Sequence, residues 1–201
     1  MTVEMHLIRH GQTLANEKRL YCGQTDLPLS ENGAKEIAKL RALGIYPEAE
    51  AFFTSGLLRT EQTLDIICSG AKGAAGTIRE AMPNIAEFGF GGFELKSYEQ
   101  LKERQDYQAW ITDTTGKVRC PGGESKNQFE KRVVLGFEYI LEKVQKNGAE
   151  SAFVVCHGGV IACIMERLFP SAQNFYEWQP KPGRGYTLIY ASGRLHGYKK
   201  I

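Results

Sequence analysis

The sequence predicts an α/β layer fold, because apolar runs of strand length alternate with helical periodicity along the chain. Two of those runs, Met5 to Ile8 and Ala152 to Cys156, lead into the same kind of ending, His10-Gly11 in one case and His157-Gly158-Gly159 in the other. At 201 residues with 42% hydrophobic content, the chain suits one globular domain over 1–201 with a substantial core.

Met5 to Ile8 reads as the end of a buried strand, and Gly11 permits backbone geometry that a side chain would resist. Arg9 and His10 are thereby delivered to the carboxyl end of a strand, where open α/β sheets bind ligands. Ser30 reads as a helix N-cap with Glu31 in the first turn, Ile37, Leu40 and Leu43 as the apolar face, and Gly44 as the stop. Ala51-Phe52-Phe53 is a second strand-like stretch. After it, Ser55-Gly56-Leu57-Leu58-Arg59-Thr60-Glu61-Gln62-Thr63 opens a helix that carries Leu57, Leu64, Ile67 and Cys68 and sets Arg59 in the first turn. Gly70 to Gly76 reads as a connection, and Thr77-Ile78-Arg79 as a short strand leading toward Glu87. Ser97 to Asp113 reads as one or two short helices in which Tyr98, Leu101, Tyr107 and Trp110 pack. From Glu124 to Lys146, Phe129, Val133, Phe137, Ile140 and Val144 recur at three- and four-residue steps, as in an amphipathic helix against a sheet, and Gly148 ends it. Beyond the 152–156 strand and the apolar run Val160 to Met165, Tyr186 to Tyr190 is a final central strand, with Arg194 to Ile201 as its edge partner. Lys181 and Arg184, in the loop between, could face the substrate or simply water, and water is the preferred reading.

A phosphate dianion needs planar guanidiniums for bidentate contacts, further donors from imidazole, and helix N-termini with free amides. Arg9, Arg59 and His157 could supply the donors. His10 would then be the nucleophile, since a neutral imidazole attacks phosphorus to give a phosphohistidine and divides one difficult transfer into two easier ones.

These residues resemble the histidine phosphatase superfamily, also called the phosphoglycerate mutase-like family, over nearly the whole chain. Arg9-His10-Gly11 is similar to the motif that names the family, and Tyr21 to Gly33 to its substrate-side loop and first helix start. Ser55, Leu57, Arg59, Thr60, Gln62 and Thr63 fall on its second motif, His157-Gly158-Gly159 on its third, and Pro121-Gly122-Gly123-Glu124-Ser125 on the turn that opens its long helix. The resemblance implies a three-layer sandwich with a mostly parallel central sheet flanked by helices. It also implies a phosphate pocket of Arg9, His10, Arg59 and His157, with Gln12, Thr13, Asn16, Gly23 and Gly158 in contact with substrate or phosphate.

An alkoxide leaving group is strongly basic, and a positioned proton donor is typically worth roughly 10² to 10⁴ in rate. Glu87 is the candidate: it precedes Phe88-Gly89-Phe90-Gly91-Gly92-Phe93-Glu94, which looks like the family segment that carries the acid. Glu94 is its rival, ahead of Glu80 and Glu99. Leu95 stands where the family has glycine, a departure that bears on the local shape of this loop.

A formal charge of +2, with Lys and Arg scattered, argues against nucleic acid as a partner. No run approaches the 18 or so apolar residues of a membrane span, and Glu4 and His6 stand where a signal peptide would be apolar, so a cytoplasmic protein is expected. Five cysteines, Cys22, Cys68, Cys120, Cys156 and Cys163, include no Cys-x-x-Cys and fit a reducing compartment. His6 and His10 sit four apart, a spacing that joins ligands on one face of a helix, but Met5 to Ile8 reads as strand and His10 lies beyond it, so His6 is read as structural; neither metal nor cofactor is expected. Nothing in the sequence sets an oligomeric state.

The expected activity is hydrolysis of small phosphate monoesters through His10, with Glu87 as the acid and then as the base for water. Short chains of this family include broad-specificity phosphatases and α-ribazole phosphatases, which makes α-ribazole 5'-phosphate the specific expectation. The alternatives are a phosphoglycerate mutase, which must exclude water and in this family carries longer inserts and a closing tail, and a binding module without chemistry.

Overall fold

The computed structural model describes residues 2–69, 78–170 and 172–201. Its strands are β1 (Thr2–Arg9), β2 (Ala51–Thr54), β3 (Ile78–Ala81), β4 (Ser151–Cys156), β5 (Gly185–Ala191) and β6 (Arg194–Lys200). Its helices are α1 (Leu14–Glu17), α2 (Glu31–Ala42), α3 (Leu58–Cys68), α4 (Tyr98–Leu101), α5 (Gln105–Ile111), α6 (Lys126–Lys146) and α7 (Gly158–Leu168), with 3₁₀ turns at Pro83–Ile85 and Gly91–Phe93. The sheet order is β3-β2-β4-β1-β5-β6. β3, β2, β4 and β1 pair in parallel, and β5 and β6 add antiparallel at one side.

The pleat divides each central strand between two cores. Met5 and Leu7 of β1 join Ala152, Val154 and Cys156 of β4 in a core with Phe129, Val133, Phe137, Ile140 and Val144 of α6 and the apolar residues of α7. Ile8, Phe153 and Val155 face the other way, onto Ile37 of α2 and Leu64 and Ile67 of α3. Being covered on both faces is why β4 reads as a continuous apolar run instead of an alternating one. The expected three-layer sandwich is the fold observed.

Local signals hold where side chains close the element ends. Ser30 Oγ accepts the Gly33 amide at 3.0 Å, and Gly44, with φ +68°, follows the C-cap of α2. Ser125 caps α6, so that helix begins at Lys126 and leaves Glu124 outside it, two residues later than the periodicity suggested. Leu57 likewise occupies the N-cap of α3 instead of its first turn. Leu101, Tyr107 and Trp110 pack as expected, whereas Tyr98 is 54% exposed because it opens the four-residue α4 on its outer side. Leu95 takes the left-handed φ of +56° that a glycine there would adopt without strain. His6 is buried, and its Nδ1 bonds Thr187 Oγ1 at 2.9 Å, a structural role. The 70–76 connection and Thr77 lie outside the described residues; Ile78–Ala81 forms the short strand expected to lead toward Glu87.

Candidate active site

Three parallel strands bring their carboxyl ends together. Arg9 is the last residue of β1 and pairs in register with Cys156, the last of β4, so His10 and His157 leave the sheet side by side. Their rings lie 5.0 Å apart, edge toward face. β2 pairs with β4 through Thr54 and Val155, and the chain then turns through Ser55 into α3, where Arg59 is the second residue. Arg59 and His157 have no solvent exposure, and His10 is 4% exposed.

The hydrogen bonds fix both imidazole tautomers. His10 Nδ1 lies 2.6 Å from the Gly11 carbonyl oxygen, which can only accept, so Nδ1 carries the proton and Nε2 keeps its lone pair. The Thr60 hydroxyl donates to Leu57 O at 2.7 Å, leaving Thr60 Oγ1 to accept from Ser55 at 3.1 Å. Ser55 Oγ is then the acceptor for His157 Nε2–H at 2.9 Å, and His157 Nδ1 is left unprotonated and buried without a partner among the described residues. Burial, followed by the Arg59 and Arg9 charges, holds the His10 pKa well below 6.5. His157 is lowered in the same direction by burial, and then by His10 and the two arginines.

Arg59 donates to Thr25 O at 2.9 Å and to Gly23 O, and Arg9 to Pro180 O at 2.8 Å. The Nε of each guanidinium is buried and unpartnered among the described residues. A buried donor left without an acceptor costs roughly 1–3 kcal/mol. Each Nε is left free to donate to an anion.

Glu87 reaches the same place from the segment after β3. Its Oε2 accepts the Gly159 amide at 3.0 Å and its Oε1 the Phe88 amide at 2.9 Å. Two glycines at the start of α7 make the approach possible: a Cβ on Gly158 would lie 3.2 Å from Arg9 Cζ, and one on Gly159 only 2.4 Å from Glu87 Oε1.

Arg9, His10, Asn16 and Glu87 line a cleft of about 870 Å³ whose other walls include Tyr21, Phe88, Phe90, Trp110, Phe129 and Tyr176. Gln12, Thr13, Gly23 and Gly158 are not among its lining residues, and neither are Arg59 and His157, which are fully buried. Thr13 is fully buried as the N-cap of α1, where it bonds Asn16. The Gln12 carbonyl accepts the Ser30 amide at 2.8 Å. The Gly23 amide is taken up by Glu94, whose carboxylate also accepts the amides of Gln24, Thr25 and Phe90. Glu94 thus braces the loop that supplies both Arg59 acceptors, while Glu87 faces the cleft. Gln62 and Thr63 work in the same way: Gln62 Oε1 accepts the Leu29 amide at 2.8 Å, and Thr63 Oγ1 accepts the Gly11 amide at 3.0 Å. Among the described residues, no group of three or more metal-ligating side chains comes together, and no helix is long and apolar enough to cross a membrane.

Residues 5–196 match the family model described as Histidine phosphatase superfamily (branch 1). The chain belongs to the histidine phosphatase superfamily. Among similar members, the adenosylcobalamin/alpha-ribazole phosphatase of Salmonella typhi is 27% identical over 194 residues, which is 95% of this chain and 92% of that protein. The phosphoglycerate mutase of Thermus thermophilus superposes with a TM-score of 0.70 at 27% identity, covering 98% of each chain. The alpha-ribazole phosphatase of Shigella flexneri, at 23% identity over 96% of this chain and 93% of its own, shares the fold with a TM-score of 0.81. Members similar to this chain therefore carry both phosphatase and mutase names.

Proposed function

We propose that the chain is a phosphomonoesterase acting through a phosphohistidine on His10, with α-ribazole 5'-phosphate as its substrate. The observation that carries the chemistry is the state of His10: a neutral ring with its proton fixed on Nδ1, beside the buried Arg59 and the half-buried Arg9, each with an unpartnered Nε. Arg9, Arg59 and His157 would hold the phosphoryl oxygens while His10 Nε2 attacks phosphorus. As the N–P bond forms and the ester P–O bond breaks, Glu87 gives its proton to the departing oxygen. The resulting carboxylate then takes a proton from water, whose oxygen attacks phosphorus and breaks the N–P bond. Inorganic phosphate and a neutral imidazole are regenerated. Asn16 is assigned to the cleft rim; Gln12, Thr13, Gly23 and Gly158 are assigned to its supporting shell.

The substrate reading is supported by the walls of the cleft. About 870 Å³ is far more than a phosphoryl group needs, and Tyr21, Phe90, Trp110, Phe129 and Tyr176 among its lining residues suit a bulky aromatic leaving group. A three-carbon acid such as phosphoglycerate would use little of that surface. Five unpaired cysteines fit work in a reducing compartment, the cytoplasm.

The test is inorganic phosphate release from a panel including α-ribazole 5'-phosphate and 3-phosphoglycerate, in EDTA, with His10→Ala alongside. Release by the wild type alone, fastest on α-ribazole 5'-phosphate, is the expected result. A His10→Ala variant that keeps a tenth of the rate would end the covalent mechanism, and isomerised phosphoglycerate without phosphate release would make the chain a mutase.

A further inference from the structure

Glu87 lies in a stretch without regular structure between the Pro83–Ile85 and Gly91–Phe93 turns. A proton donor on such a stretch needs a hold from outside it, since about 1 Å of misplacement is costly in rate. One side chain supplies that hold. Arg132, on α6, donates from Nη1 to Asn84 O at 3.0 Å and to Ala86 O at 2.6 Å, and from Nη2 to Glu87 O at 2.8 Å. Its Nε donates to Glu124 Oε2 at 3.0 Å and its Nη2 to Glu124 Oε1 at 2.5 Å. A guanidinium has five N–H groups, and the five bonds use all of them. Glu124 completes the clasp: Oε1 also accepts the Gly89 amide at 2.7 Å, and its own amide donates to Gly89 O at 2.9 Å.

We propose that Arg132, with Glu124 as its counter-ion, is a positioning residue for Glu87: it fastens the main chain on both sides of the acid to α6, so that the carboxylate stays against the Gly159 amide. Neither the Arg132 nor the Glu124 side chain lines the cleft. They are 21% and 14% exposed, dry enough for the ion pair to hold its geometry. A lysine cannot substitute, because one ammonium reaches two or three acceptors at most and cannot lie flat between a carboxylate and three carbonyls. The inference rests on Glu87 being the general acid.

Arg132→Lys, Glu124→Gln and Glu87→Gln are compared on glycerol phosphate, whose alkoxide needs a proton to leave, and on p-nitrophenyl phosphate, which needs little. The inhibition constant for inorganic phosphate is measured alongside. The expected result is that Arg132→Lys lowers kcat on glycerol phosphate at least about tenfold more than on p-nitrophenyl phosphate, the pattern of Glu87→Gln, with the phosphate constant within about threefold of wild type. Glu124→Gln gives the same pattern more weakly, and carries the test if Arg132→Lys does not fold. Equal losses on the two esters, no loss, or phosphate binding that weakens in step with kcat would overturn the proposal while Glu87→Gln remains selective. Equal losses in Glu87→Gln as well would overturn the acid assignment and this proposal with it.

Discussion

Gly159→Ala separates the function of the site from the stability of the fold. Gly159 is the second residue of α7, and its φ lies outside the left-handed region, so alanine suits the backbone and should add about 0.5–1 kcal/mol of helix stability. The added Cβ would meet Glu87 Oε1 at 2.4 Å, Cδ at 3.2 Å and Oε2 at 3.3 Å. The shortest of these is about 1 Å inside ordinary contact. The carboxylate is the free end of a side chain and can swing away cheaply, but it then leaves the Gly159 amide that holds it at 3.0 Å. Displacement of a reacting group by about 1 Å costs on the order of 10²-fold in rate, or about 2.7 kcal/mol of barrier. The assay is kcat/KM on glycerol phosphate and on p-nitrophenyl phosphate, with thermal unfolding of the same samples. The alkyl ester should lose on the order of 10²-fold, the aryl ester several-fold, and the melting temperature should hold or rise. A variant within twofold of wild type on glycerol phosphate would remove Glu87 from the acid role, and a lowered melting temperature with equal losses on both esters would reduce Gly159 to a packing residue.

Arg59→Lys keeps the buried charge but loses the fork that bonds Gly23 O and Thr25 O while facing His10; kcat/KM should fall about 10²-fold, and a near-normal rate would place Arg59 outside the phosphate site. Leu95→Gly relieves a left-handed backbone at a 42% exposed position and should stabilise by roughly 0.5–1 kcal/mol, read as a rise of a few degrees in melting temperature; a fall would mean that the leucine side chain contributes more than the strain costs. For His10 and His157 the folded pKa lies below 6.5, so the unfolded chain binds more protons between that folded value and about pH 6.5. Their contribution is therefore complete above pH 6.5 and is lost as pH falls, by up to about 1.4 kcal/mol per pH unit for each ring. Urea unfolding at pH 7.5 and pH 5.5 reads this, and His10→Ala should flatten the slope; an unchanged slope would contradict the burial argument.

What was legible in the sequence is what short-range chemistry writes there. The two strand-histidine-glycine endings could be read because each needs only a few consecutive residues, and parallel pairing of β1 with β4 then brings His10 to His157 without further instruction. The caps at Ser30 and Ser125 are local for the same reason. Arg132 stayed hidden: on α6 it shows only as one cation on the polar side of an amphipathic pattern, and its five acceptors come from residues 84–87 and 124. Glu94 was visible but ambiguous with Glu87, since spacing cannot tell a carboxylate that faces a cleft from one that gathers the Gly23, Gln24, Thr25 and Phe90 amides. The aromatic walls fell between these cases. Trp110 reads as a packing residue of a short helix and is core, at 6% exposure, yet it also lines the cleft.

In the proposed mechanism the two histidines do opposite things with one environment, and their hydrogen bonds suit them to it. A nucleophile must be neutral with its lone pair facing phosphorus, whereas an anion-binding imidazole must be a donor. Without substrate, the same burial and the same two guanidiniums keep both rings neutral. The difference lies in which nitrogen is anchored. In His10 the carbonyl of Gly11 holds the proton on Nδ1 and leaves Nε2 basic, so a bound dianion meets a lone pair. In His157 the Ser55–Thr60–Leu57 chain holds a proton on Nε2, and the buried, unpartnered Nδ1 is free to take a second proton once two negative charges arrive beside Arg9 and Arg59. On this reading, phosphate binding should be accompanied by uptake of a proton at His157. The dianion would offset the repulsion that keeps the ring neutral, while His10 would keep its Nε2 lone pair for phosphorus. Ser55, Leu57 and Thr60 fall on the second family motif without lining the cleft, and their hydrogen-bond chain ends at His157 Nε2, which leaves Nδ1 as the nitrogen open to a second proton.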